Sequence, residues 1–476
     1  MFDLQTVMLA FIQLAILLLL GRYLKRKTPV FQRLHLPESV LGGLLGLALG
    51  PQVLGALITA TAGPQSALAE GLFSEAVLTV WSQAPGVFIN IVFACLLLGE
   101  TIPAPKTIWR LAAPQVFFSF TFGLGQYVVG SLATLLILTP LLGANPIVGS
   151  LIELSFAGGH GTAGGMVEVF DQLGFPEGSD LALALATVSL ISAIVLGTVL
   201  ADRGRRLGQV ATVVPNVSEP AAVPALHPEA ETPAQQRRRQ QLLASMLMDP
   251  LSLNVSIVAI AIGIGWVLLQ GLQSIEALTW GRQGLTVFQF VPLFPLALVG
   301  GIITQVWLER THRTALVVRS LMQNIAGVAL DVVVIAAVAT MSLAAVGDNL
   351  AVFLILAGLG IAWGVFIFLW WAPKIFPDFW FEKGLADFGQ GMGVTSTGIL
   401  LLRMVDSQNR TGAFESFAYK QIFFEPVLGG GLLTATSPVL IAQWGLRPFA
   451  AITTGLLLLC FGFSLAFMHR QAASRR

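Results

Sequence analysis

Two short stretches gather the residue types that can hold a small ion or metabolite within an otherwise apolar chain. The first reads Glu153-Leu-Ser155-Phe-Ala-Gly158-Gly159-His160-Gly161-Thr162-Ala-Gly164-Gly165, and the second Asp387-Phe-Gly389-Gln390-Gly391-Met392-Gly393-Val-Thr395-Ser396-Thr397-Gly398. A glycine inside a helix costs about 1 kcal/mol relative to alanine, so glycine at this density breaks one. Free N–H groups at a half-helix start favour an anion, whereas unwound carbonyls and Ser/Thr hydroxyls suit a small cation. Substrate contacts are therefore expected from Ser155, Gly158, Gly159, His160, Gly161 and Thr162, and from Gly389, Gly391, Gly393, Thr395, Ser396 and Thr397. The competing explanation is close helix packing through small residues, as in small-xxx-small contacts.

Isolated polar residues in apolar runs are the second source of chemistry, because an ionisable group at membrane depth is costly and marks function by default. Asp331, with Asn90 at the matching position of the first half, and Asp387 are the candidate ligands of a coupling cation, and a carboxylate such as Asp331 could instead exchange a proton. Asp387 is equally readable as a helix N-cap. His160 could donate to a carboxylate or face a pathway, although a lone histidine is often structural. Glu153 and Glu168 are expected at an interface, Arg403 as a snorkelling residue, and Lys420 and Glu425, five apart, as a structural salt bridge.

The elements that must position these residues follow from composition. A hydrophobic content of 55% with 11% charged residues leaves too little polar surface for a soluble globule. Apolar blocks of about 20 residues match helices crossing ~30 Å of hydrocarbon, and the ten-residue alternation of a barrel is missing. The expected fold is an all-α polytopic membrane protein. Spans are expected near 5–22, 38–58, 76–99, 113–138, 180–201, 251–272, 286–308, 317–342, 350–372, 417–444 and 449–468, with re-entrant hairpins at 146–172 and 384–404. An N-terminus outside puts all but Arg282 and Arg447 of the 26 lysines and arginines on the cytoplasmic side, as the positive-inside rule requires. Counting either glycine-rich segment as a crossing would scatter those charges.

The polar, Pro- and Ala-rich stretch 203–250 is expected to be a cytoplasmic linker. It separates a first repeat, 1–202, from a second, 251–445. Each has five spans and one hairpin, and the odd number of crossings inverts one against the other. Residues 446–476 add a C-terminal helix and a basic tail. Gly86-Val87-Phe88-Ile89-Asn90 faintly matches Gly327-Val328-Ala329-Leu330-Asp331, and Gly159-His160-Gly161 matches Gly389-Gln390-Gly391. Cys95 and Cys460 lie in apolar runs without metal-site spacing. The net charge of +1 indicates no nucleic-acid partner. The chain enters its first apolar run without a signal-peptide pattern, and no HExxH or GxSxG motif suggests an enzyme.

In three passages the chain resembles the bacterial sodium/glutamate symporter family. These are Leu36-Pro37-Glu38-Ser39-Val40-Leu41-Gly42-Gly43-Leu44, the Ser155 to Thr162 stretch with its Gly-Gly-His-Gly-Thr core, and the Gly389 to Thr397 stretch. The resemblance runs to about residue 445 and implies two inverted halves, an extracellular N-terminus, a cytoplasmic C-terminus, a homodimer in the bacterial inner membrane, and sodium-coupled uptake of L-glutamate. Sodium then becomes the cation expected at Asn90, Asp331 and Asp387. Thr395-Ser396-Thr397 stands where the family tends to Thr-Pro-Thr, the linker is long, and the last helix is additional. A proton-coupled or antiporting anion carrier is the alternative expectation, and an ion channel a more distant one.

Overall fold

A computed structural model describes residues 3–34, 36–100, 105–211, 249–283 and 286–474. Those residues are predominantly helical, with no strand among them. The principal helices are α1 (Leu4–Lys27), α2 (Glu38–Ala62), α3 (Glu75–Cys95), α4 (Pro105–Ala133), α5 (Leu151–Phe156), α6 (Gly159–Gly165), α7 (Val167–Gln172) and α8 (Glu177–Arg206). After the linker come α9 (Pro250–Leu278), α10 (Phe294–Arg310), α11 (Arg319–Thr340), α12 (Leu350–Trp370), α13 (Trp380–Val405), α14 (Ala413–Phe424), α15 (Leu432–Trp444) and α16 (Leu446–Ser474). Among the described residues nine helices are long and apolar enough to cross a membrane, so the chain is a multi-pass membrane protein.

Local chemistry accounts for several boundaries. Lys25, Arg26 and Lys27 close the last turn of α1, where a helix dipole favours positive charge. Asp249 caps α9, accepting from the N–H groups of Leu251 (2.9 Å) and Ser252 (3.0 Å), and Pro250 follows at a position where its missing N–H costs nothing. Of the expected linker, residues 203–206 extend α8 and the chain is described to Ala211, and 212–248 lie outside the described residues.

Two expected spans differ from expectation. The seventh begins in short 3-10 turns and its helix, α10, has only 17 residues. The tenth is not one helix: α14 stops at Phe424, and the chain runs irregularly through Glu425-Pro426-Val427-Leu428-Gly429-Gly430-Gly431 before α15. Gly429 (φ +66°) and Gly430 (φ +103°) take left-handed conformations that a side chain would resist, and these end the helix inside an apolar run.

The chain turns back on itself in both glycine-rich segments. In the first, Asn145, Pro146 and Ile147 line the same crevice as Leu173, so the segment ends beside its start. In the second, α13 turns at Gly393 and Val394. Its arms touch so closely that a Cβ on Gly389 would lie 2.7 Å from the Gly398 Cα. Both ends of that hairpin sit at the C-terminal end of α8: Gly204 packs on Phe381, and Arg205 donates to the Met404 carbonyl. The first hairpin instead leads directly into the N-terminal end of α8. With 30 residues α8 is about 45 Å long, and the hairpins approach its middle from opposite ends.

Candidate functional site

The tips meet. A Cβ on Gly159 would fall 2.3 Å from Val394 Cγ1, and Gly159 has φ +68°, so glycine is required there by both contact and conformation. Val394 holds φ +65° and ψ 171°, a region nearly confined to glycine and costing a side-chain-bearing residue about 1–3 kcal/mol. A strained residue that persists is held by its surroundings, here the facing tip.

Around this contact lies a cavity of about 580 Å³, within the range of small-molecule sites. Its walls include Gly158, Gly159, His160, Gly161 and Thr162 from the first tip and Gly393, Thr395, Ser396 and Thr397 from the second. The middle of α8 supplies Ala186, Ser189 and Leu190, and the space reaches Cys95, Arg319 and Gln323 where α3 ends and α11 begins. His160 Nε2 lies 2.9 Å from the Thr187 hydroxyl. Thr162 Oγ1 on the cavity wall and Ser155 Oγ behind it are buried with no hydrogen-bond partner among the described residues, and a polar ligand in the cavity would satisfy the first.

Not every expected contact reaches the cavity. Gly389 and Gly391 are close-approach positions: Gly389 faces Gly398, and a Cβ on Gly391 would lie 2.4 Å from Phe122 Cε1. Gly391 also accepts from Gln126 Nε2 through its carbonyl, 2.7 Å. Ser155 is fully buried behind the wall. Asn90 spends its amide on the Gly86 and Val87 carbonyls of its own helix (2.8 and 2.9 Å), although its Oδ1 is buried without a partner. Asp331 is half-buried and absent from the walls, whereas Ser39 lines the cavity.

Asp387 is neither an N-cap nor an open ligand. It lies inside α13, 2.7 Å from Lys420 Nζ, both side chains being 1% exposed. Gln115 Nε2 (2.5 Å) and Ser119 Oγ (2.8 Å) donate to its two oxygens. Lys420 thus pairs with Asp387, correcting the expected pairing with Glu425, and it also donates to Gln390 Oε1 at 2.5 Å. Glu153, expected at an interface, is fully buried and accepts from Tyr127 Oη (2.5 Å), the Gly429 N–H (2.8 Å) and Thr434 Oγ1 (3.0 Å). Glu168 and Arg403 are exposed.

Glu425 was the residue that sequence reasoning undervalued. It opens the irregular stretch after α14, accepts at Oε1 from Thr395 Oγ1 (2.8 Å) and Gln390 Nε2 (3.1 Å), and lines the cavity with Gly429. Three broken elements, not two, therefore converge. The triple glycine at 429–431 was the available signal.

No protein-family model and no curated protein matches this chain. Hydroxyls, a carboxylate, unwound backbone and a histidine surround a space sized for a metabolite.

Proposed function

We propose that the protein is a secondary active transporter that takes up L-glutamate or a related small carboxylate together with sodium, exposing one central site alternately to the two sides of a bacterial inner membrane. The observation behind this reading is the contact of two glycine-broken hairpins that approach from opposite ends of α8 and share one cavity. Non-helical backbone at membrane depth persists only where protein or a water-filled cavity satisfies it, and broken helices at a midpoint are how many carriers bind their cargo.

Helix packing supports two inverted halves. α1 packs on α2 as α9 packs on α10, α2 packs on α11 as α10 packs on α3, and α3 and α11 pack on each other. In this reading α16 and the basic tail lie outside the repeat, the N-terminus is external and the C-terminus cytoplasmic, and two copies associate in the lipid. The cavity then reaches the cytoplasmic side at Arg319, which corresponds to an inward-facing state. Substrate carboxylates are met by the second tip's N–H groups and by the hydroxyls of Ser396 and Thr397, Thr395 being committed to Glu425; sodium is held by oxygen ligands.

Counterflow in proteoliposomes tests the proposal. Sodium-dependent exchange of labelled L-glutamate, aspartate or a dicarboxylate is expected, and no exchange of any of them in sodium removes the substrate class. Glu425, a carboxylate on the cavity wall, favours coupling to protons as a second reading, which predicts uptake driven by a pH gradient in sodium-free buffer. Currents far above carrier turnover would point to a channel.

A further inference from the structure

The charged residues bordering the cavity are few. Arg319, at its far end, is held 2.8 Å from Glu100 and donates to the carbonyls of Cys95 (3.0 Å) and Leu98 (2.9 Å). Glu425, between the tips, is 6% exposed. A carboxylate at that depth is unfavourable unless a positive charge accompanies it. The near cation is Lys420, but its ammonium is committed to Asp387 at 2.7 Å and to Gln390, which stands between it and Glu425.

Oxygen atoms also gather along the adjoining broken backbone at Gly429-Gly430. Glu425 Oε1 is engaged by Thr395 and Gln390, whereas Oε2 has no hydrogen bond among the described residues. A Cβ on Gly429 would lie 3.4 Å from that Oε2, and one on the adjoining Gly430 would lie 2.6 Å from Thr162 Oγ1. Thr162 is 1% exposed and its hydroxyl oxygen is unpartnered. The carbonyls of Gly429 and Gly430 accept no hydrogen bond from the described backbone. A negative charge, a free hydroxyl and unwound carbonyls are the ligand set of a compact monovalent cation.

We propose that Glu425, the Thr162 hydroxyl and the broken backbone at Gly429-Gly430 form a binding site for a small cationic group, either a free sodium ion or the ammonium of an amino-acid substrate. The inference rests on the transporter reading for its purpose but not for its geometry. The site would make the contact of first tip, second tip and broken helix depend on occupancy: Thr162 belongs to the first tip, Thr395 ties Glu425 to the second, and Gly429-Gly430 joins α14 to α15.

The experiment uses the full-length protein purified in detergent, with radiolabelled sodium binding and the thermal unfolding midpoint as readouts. Sodium chloride, choline chloride, L-glutamate and its amine-free analogue glutarate are the probes. If the site takes free sodium, wild type binds sodium without substrate, and Glu425→Gln weakens that binding about tenfold or more. If it takes the ammonium, sodium alone has no effect, L-glutamate raises the midpoint where glutarate does not, and Glu425→Gln abolishes the difference. Thr162→Val is expected to act in the same direction more weakly, and it replaces Glu425→Gln should that variant elute as aggregate. Unchanged sodium and L-glutamate responses in both folded variants overturn the site, as does a wild type that responds to neither. Exchange of L-glutamate indifferent to Glu425 would remove the site and leave the transporter; sodium binding that needs Glu425, with no carboxylate exchanged, would keep the site and remove the substrate.

Discussion

Replacing Lys420 by methionine keeps the length and apolar body of the side chain and removes its charge. The ammonium lies 2.7 Å from Asp387 Oδ1 in a 1%-exposed pair, and 4.7 and 4.4 Å from the Phe417 and Phe424 ring centres. Removing one member of a buried pair leaves the other charge uncompensated, at a cost of about 3–5 kcal/mol. Gln115 and Ser119 still donate to Asp387 and soften that loss, so about 3 kcal/mol is expected. Asp387→Asn alone strands the lysine and should cost about the same. The double variant Lys420→Met/Asp387→Asn carries no buried charge, and a loss of only about 2 kcal/mol is expected, since a neutralised pair is often nearly neutral for stability. The coupling energy is then about 4 kcal/mol, far above the ~0.5 kcal/mol within which independent sites add. Reversible unfolding in mixed detergent and dodecyl sulfate micelles, followed by tryptophan fluorescence, measures all three variants. Additive losses, or a Lys420→Met variant within about 1 kcal/mol of wild type by the same scale, would show that Lys420 and Asp387 are not a coupled buried pair.

Three further outcomes are expected. Gly159→Ala meets Val394 and a positive φ together, so transport should fall at least tenfold, while Val394→Gly, which relieves about 1–3 kcal/mol of strain, should raise the unfolding midpoint and partly rescue Gly159→Ala. Glu153→Gln forfeits charge-assisted acceptance from the Gly429 N–H and Thr434 and should cost about 2 kcal/mol, against about 1 for Tyr127→Phe, in the same unfolding assay. In a Cys95→Ala/Cys460→Ala background, Ser396→Cys should react with a small water-soluble thiol reagent from the face that carries Arg319, and L-glutamate should slow that reaction; labelling only from the other face would contradict the direction in which the cavity opens.

Glycine density and hydroxyl content were enough to locate both tips, because breaking a helix is a local property of residues 158–165 and 389–398. The same locality explains the errors. Gly389 and Gly391 break nothing by themselves; they admit Gly398 and Phe122, neighbours that only the folded hairpin supplies. The interruption at 425–431 hides in hydropathy because Val427 and Leu428 keep the run apolar. Asp387 finds Lys420 and Gln115 on other helices, so its role could not be read from its own flanks, and Glu153 draws two of its three partners from beyond residue 425. Asp331 and Asn90 stand on helices that do pack together, yet the cavity takes its walls from their neighbours Leu330 and Ile89.

The partners of Glu153 have a consequence for how the molecule is made. Gly429, whose N–H it accepts, lies 276 residues further along the chain. A ribosome has therefore synthesised most of the protein before that carboxylate can be satisfied, and Asp387 in turn waits for Lys420. The last elements to emerge supply the remaining donors of Glu153 and the counter-charge of Asp387, so a chain truncated before α14 would leave Glu153 with Tyr127 alone and Asp387 without its lysine. Such a fragment is a ready substrate for membrane quality-control proteolysis, which ties survival of the newly made protein to completion of its final helices.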